Sequence, residues 1–172
     1  MGIQVWDPLV RVAHWGVAAG VAGAWWSLDR AGGWHEKIGY AVAALVGLRL
    51  VWGFIGSRHA RFSDFVKGWR TTAAYARRLL AGAEERYIGH NPLGGWMALA
   101  LWAAVAATCF TGWLYTTDEF FGLAWLEQTH QALAWTVVAL VPLHVAGVVF
   151  TSLRHRENLL RAMLTGRKRP GA

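Results

Sequence analysis

Four histidines and one arginine fall inside stretches of this chain that are otherwise apolar, and their spacing is regular. His130 and His144 are fourteen residues apart, and His35 and Arg49 repeat that interval in another segment. Fourteen residues of α-helix rise about 21 Å and return to within about 40° of the starting face. Each pair therefore presents both side chains on one side of its helix at two depths. His14, six residues into the first apolar segment, lies at a depth similar to that of Arg49 and His144. Two layers result, His35 with His130 and His14 with His144. Between the paired positions, Gly39, Val42 and Val46 line one helix face and Ala134, Val137 and Val141 the other. Side chains of that size leave room for a flat, bulky group between helices.

Paired neutral imidazoles from different helices suit axial ligation of haem iron. They fill both axial positions and leave a low-spin centre fitted to electron transfer. Arg49 would then neutralise a propionate of the inner haem through a charge-assisted hydrogen bond. Zinc fits less well, because it asks for a tetrahedral set with Cys or carboxylate partners that these segments lack. Any one intramembrane histidine, taken alone, can instead bond a backbone carbonyl or line a proton path. His59, His90 and His155 fall in connections or the tail and read as surface histidines without a ligand. The single cysteine, Cys109, reads as a small buried hydrophobe and excludes an intramolecular disulfide.

The elements that must position these groups follow from composition. The chain has 172 residues, 55% apolar and 16% charged, with a mean hydropathy of +0.29. This excludes a disordered tail, a coiled coil and a disulfide scaffold. Four apolar segments, about 8–28, 38–55, 93–116 and 131–153, each approach the roughly 20 residues that cross a bilayer. The expectation is an all-α integral membrane protein, one domain over 1–172 built as a four-helix transmembrane bundle. Asp7-Pro8 and Asn91-Pro92 are helix-start signals, a capping residue followed by proline. Gly16, Gly20 and Gly23 form a small-residue stripe for close helix packing. Between spans two and three, apolar residues from Phe62 to Leu80 recur at helical spacing with Arg and Lys between them, which predicts an interfacial amphipathic helix. Trp25, Trp26, Trp34 and Trp125 at one boundary and Trp6, Trp52 and Trp69 at the other read as aromatic belts.

The net charge of +7 would point to nucleic acid if it were spread over a folded face. Instead, fourteen of the 17 basic residues fall in the amino terminus, the 57–91 connection and the tail. The other side holds Arg30 and Lys37 against Asp29, Glu36, Asp118, Glu119 and Glu127. By the positive-inside rule both termini are cytoplasmic, and nucleic acid is an unnecessary explanation.

The motifs Trp6-Asp7-Pro8 with His14-Trp15, Trp34-His35-Glu36, Arg49 followed by Val51-Trp52-Gly53, His90-Asn91-Pro92-Leu93-Gly94-Gly95-Trp96 and His144-Val145-Ala146-Gly147 resemble the bacterial cytochrome b561 family. So does the tail, Arg156-Glu157-Asn158-Leu159 through Gly166-Arg167-Lys168. These small four-helix b-type cytochromes are related to the b-type subunit of nickel-iron hydrogenases. The resemblance implies two haem b groups, ligated by His14 and His144 on the inner side and by His35 and His130 on the outer. It also implies electron exchange between quinone, as an exchangeable substrate, and a redox partner. The acidic outer loop would suit a periplasmic c-type cytochrome. The chain is expected to differ from the hydrogenase subunits in lacking further membrane segments and long extensions, which argues against a hydrogenase partner. Two rival readings are a superoxide:quinone oxidoreductase, with Arg30 and Lys37 guiding the anion, and a membrane anchor for a soluble oxidoreductase.

Overall fold

The computed structural model describes residues 2–28 and 32–170. Strand β1 (Ile3–Gln4) leads into helix α1 (Pro8–Trp26), followed by α2 (Trp34–Ile55). A 3-10 turn at Arg58–Ala60, α3 (Phe62–Phe65) and α4 (Trp69–Leu80) make up the long connection. Helices α5 (Pro92–Tyr115) and α6 (Ala124–Arg154) come next, and α7 (Leu159–Thr165) and β2 (Arg167–Lys168) close the chain. The capping signals work as their chemistry dictates. The Asp7 carboxylate accepts from the Val10 amide at 2.9 Å, the Asn91 side chain accepts from the Gly94 amide at 2.7 Å, and each is followed by proline in the first turn.

Helices α2, α5 and α6 are long and apolar enough to cross a membrane. Helix α1, 19 residues long, is less apolar because it carries Arg11, His14 and three tryptophans. The glycine stripe of α1 packs on α2: a Cβ at Gly16 would lie 2.7 Å from Leu45, and one at Gly20 would overlap Val42. Helices α5 and α6 pair in the same way, and α2 against α5 joins the two pairs. The core between them is Val17, Val42, Val46, Ala104, Val105 and Val137. Most of the remaining large apolar side chains face outward, including Phe54, Phe110, Trp135, Leu143 and Phe150. That inversion suits a lipid surrounding, where helices associate by close packing of small residues instead of by exclusion of water.

The two ends of the chain meet. Ile3 and Gln4 pair antiparallel with Lys168 and Arg167, and the Val5 and Trp6 amides both donate to the Gly166 carbonyl, at 2.8 and 3.0 Å. Gly166 ends α7 with φ +79°, and a Cβ there would lie 2.5 Å from the Trp6 carbonyl oxygen, so no other residue fits. Glu157 is buried beneath this clasp. It accepts from Arg86 at 2.9 Å and from the Arg169 amide at 3.2 Å, with Lys168 Nζ at 3.9 Å.

Several boundaries differ from expectation. Helix α6 starts at Ala124, about two turns before the apolar segment, and α2 starts at Trp34. The single amphipathic helix expected from Phe62 to Leu80 is broken at Val66–Gly68, where Val66 and Gly68 are extended and Phe65 turns into the protein with 1% exposure. Only α4 continues the pattern, burying Thr72 and Tyr75 and exposing Arg70, Arg77 and Arg78. Two of the tryptophans expected at the inner boundary are engaged within the protein: Trp6 is buried, and Trp52 Nε1 donates to Asp7 at 2.9 Å.

Candidate functional site

The histidines meet in two pairs. Near the end of the bundle that carries both termini, His14 of α1 faces His144 of α6 with ring centroids 6.4 Å apart. Toward the opposite end, His35 of α2 faces His130 of α6 at 6.1 Å. His35 lies in the first turn of α2 and His130 almost two turns inside α6, because α6 begins earlier than its apolar stretch. Helix α6 thus supplies one member of each pair, and α1 and α2 supply the others.

The separations have a chemical meaning. Two imidazoles that ligate one metal ion at about 2.0–2.1 Å, each nitrogen about 1.1 Å from its ring centre, have centroids roughly 6.3 Å apart. Both pairs match that separation. The outer rings are also fixed in tautomer. His35 Nδ1 lies 3.0 Å from the Ala24 carbonyl, and His130 Nδ1 lies 3.1 Å from both the Thr108 carbonyl and Thr111 Oγ1. Carbonyl partners require Nδ1 to carry the proton, which leaves Nε2 with its lone pair free, the arrangement that metal-ligating histidines adopt. Gly112 admits the His130 ring against α5, since a Cβ there would lie 3.0 Å from its Cε1. His14 differs: its Nδ1 is buried without a hydrogen-bond partner among the described residues, and its ring meets Trp15 edge-on at 5.0 Å. Among the described residues no three His, Cys, Asp or Glu side chains group to hold a metal ion. Two-histidine ligation, with the remaining positions filled by a macrocycle, is what these pairs can support.

Arg49 is 3% exposed. Its Nη2 donates to the Ala60 carbonyl at 3.0 Å, its Nη1 has no partner among the described residues, and the rings of Phe62, Phe65 and Trp102 surround its Cζ at 5.4 to 5.9 Å. Gly53 makes the approach possible, because any side chain there would collide with Phe62.

His90 is not a surface histidine. Its ring is tilted between Trp6 at 4.8 Å and Phe65 at 4.9 Å, and its Nδ1 is shielded from solvent without a partner among the described residues. Burial, then the positive charges of Lys168 and Arg49 and the neighbouring His144, push its pKa down to about 3 against a small opposing effect of Asp64, so the ring is neutral. Sequence reasoning missed it because the groups that cover it come from residues 6, 65 and 168. The proline-glycine helix start immediately after it was the only local signal. His59 does pair with Asp64, at 3.1 Å.

Of the acidic and basic residues assigned to the outer loops, Asp29 and Arg30 lie outside the described residues. Lys37 donates to the Gly32 carbonyl at 3.1 Å and sits over the Trp34 ring.

Comparison with known proteins bears on this arrangement. A family model described as prokaryotic cytochrome b561 matches residues 5–166. The chain is 24% identical over 159 residues to a probable Ni/Fe-hydrogenase B-type cytochrome subunit of Rhodobacter capsulatus, covering 78% of this chain and 61% of that protein. It is 29% identical over 160 residues to the subunit so named in Azotobacter vinelandii (77% and 65%), and 22% identical over 159 residues to that of Rhizobium leguminosarum bv. viciae (78% and 66%). The chain therefore spans just under two thirds of the length of these relatives. No solved structure matches it.

Proposed function

The chain belongs to the prokaryotic cytochrome b561 family, membrane b-type cytochromes, and from that premise we propose that it carries electrons across the bilayer through two haem b groups. The observation that carries the reading is the pair of imidazole separations, 6.4 and 6.1 Å, each suited to one bis-histidine iron. His14 and His144 hold the inner group, His35 and His130 the outer. Haem b held by these histidines would supply a one-electron carrier.

The protein's own residues set how each carrier behaves. The Ala24 and Thr108 carbonyls orient the outer imidazoles and raise their basicity as ligands. Arg49 binds a propionate of the inner group and places a positive charge beside it. Both effects raise the inner potential relative to the outer. The apolar shell of Val17, Val42, Val46, Ala104, Val105 and Val137 lies between the layers and excludes water.

Pairing of β1 with β2 supports a four-span topology, because termini that touch require an even number of crossings. With α2, α5 and α6 apolar enough to cross, α1 makes the fourth. The fourteen basic residues then lie on the side of the termini, which makes it cytoplasmic, and α4 lies in the interface on that side. Quinone is the proposed exchangeable substrate. The partner is a second redox protein, either a periplasmic c-type cytochrome met by the acidic outer side or a soluble oxidoreductase such as the hydrogenases named for the relatives.

The test is electron transfer in proteoliposomes with a quinol analogue in the membrane and a membrane-impermeant ferric acceptor inside. Acceptor reduction that depends on the protein, and that His14→Ala and His130→Ala each abolish, is expected. Equal rates with and without the protein would refute the reading.

A further inference from the structure

Four buried polar atoms around the terminal end of the bundle have no hydrogen-bond partner among the described residues: Arg11 Nε, His14 Nδ1, Arg49 Nη1 and His90 Nδ1. The last two have Phe65 as a common neighbour. Phe65 lies beneath the Arg49 guanidinium at 5.9 Å and against the His90 ring at 4.9 Å, while Trp6 covers the other side of His90 and itself lies under Lys168 Nζ at 5.8 Å. Lys168 also reaches the carbonyl of Gly89, adjacent to His90, at 3.5 Å. We propose that the pocket of Trp6, Arg49, Phe65, His90 and Lys168 is a carboxylate site in which His90 and Arg49 together bind one propionate of the inner haem, with the C-terminal strand as its cover.

The charge inventory leaves room for an anion from outside the chain. Asp7 is committed to the Val10 amide, Trp52 and Ser57. Asp64 is committed to His59 and Arg58. Glu157 is committed to Arg86, Lys168 and the Arg169 amide. Arg49 is thus a buried cation with no carboxylate in ion-pair contact among the described residues; Asp7 acts on it only at longer range, and a desolvated charge so placed costs several kcal/mol unless an anion joins it. Arg49, Arg86 and Lys168 against Asp7 and Glu157 leave one positive charge uncompensated, which fits a carboxylate better than a phosphate dianion. His90, neutral, contributes an N–H donor without adding charge, and His144 lies close enough to it to interact electrostatically. The aromatic walls keep water from competing.

This inference rests on the haem reading, and its test separates the two. Holoprotein with haem carrying a carbon isotope label at the propionate carboxyls is prepared in lipid nanodiscs, as wild type, His90→Phe and His90→Asn. Redox-difference infrared spectra and midpoint potentials are then recorded. Loss of the donor leaves more negative charge on the propionate and stabilises ferric iron. His90→Phe should shift the labelled carboxylate bands and lower one midpoint potential while leaving the other in place, and His90→Asn, which keeps an N–H donor, should show a smaller shift of the same bands. If His90→Phe fails to assemble, the band shift in His90→Asn decides. Labelled bands and both potentials unchanged in haem-loaded variants would overturn the inference and leave the haem reading standing. Movement of lipid phosphate bands alone would assign the pocket to a headgroup and overturn it too. Wild type purified without haem would overturn both.

Discussion

Replacing Glu157 by glutamine should open the C-terminal clasp without unfolding the helices. The side chain is 7% exposed and holds Arg86 at 2.9 Å, the Arg169 amide at 3.2 Å and Lys168 at 3.9 Å, with the Lys168 side chain 5% exposed. Removing one partner of a buried ion pair costs about 3–5 kcal/mol, because the other charge stays desolvated. Arg86 is one-quarter exposed and can return to water, and glutamine keeps an acceptor, so about 2–3 kcal/mol is the appropriate figure here. The loss falls on a local unit, α7 with β2, which is held by backbone bonds to β1, Val5 and Trp6 and by Ala162 packed among Val5, Trp6, Val10 and Ala60. Exchange of the Val5 and Trp6 amides, which donate to the Gly166 carbonyl, should therefore accelerate about 30- to 150-fold in hydrogen-exchange mass spectrometry, with α2 and α5 unaffected. Acid should mimic the substitution. Burial raises the Glu157 pKa, but Arg86, Lys168 and the Arg169 amide outweigh it and hold it below the ordinary value. Its contribution is complete above the unfolded pKa of about 4.3 and disappears as pH falls through the lower folded value. After correction for intrinsic rates, the wild type should lose protection in that acid range and the Gln variant should not. Exchange within threefold of wild type at neutral pH would refute the reasoning.

Gly112→Ala should weaken the outer haem about ten- to a hundredfold, since a methyl 3.0 Å from His130 Cε1 forces a ring held by Thr108 and Thr111 to move, an overpacking cost of about 1–3 kcal/mol; haem titration checks this. Gly166→Ala should release the same clasp as Glu157→Gln, by about 2–4 kcal/mol from positive φ and overlap with Trp6, read by the same two amides. Asp7→Ala removes the α1 cap and leaves Trp52 Nε1 without its acceptor, so thermal stability in detergent should fall by about 2–3 kcal/mol.

How much of this was legible in the sequence depends on whether the determining contacts are local. The two histidine layers could be read because helical rise and turn are fixed, so a fourteen-residue interval sets both depth and face. The start of α6 could not, because hydropathy reports the apolar run, whereas the backbone ladder continues through Glu127, Gln128 and Thr129 to Ala124. The break between α3 and α4 was hidden for a related reason: the periodic apolar pattern persists across Val66–Gly68, but Phe65 is drawn beneath Gly95, where only a glycine admits its backbone. His90 was misread because its cover is assembled from three remote parts of the chain, which no local pattern records.

The central claim is that two imidazole pairs each hold one haem, and stoichiometry tests it most directly. Pyridine haemochrome content and the reduced-minus-oxidised spectrum should be measured on purified wild type and His130→Ala. Two haem b per chain, falling to one with a single remaining redox transition in the variant, is the predicted result; no haem in the wild type, or two retained in His130→Ala, would contradict it.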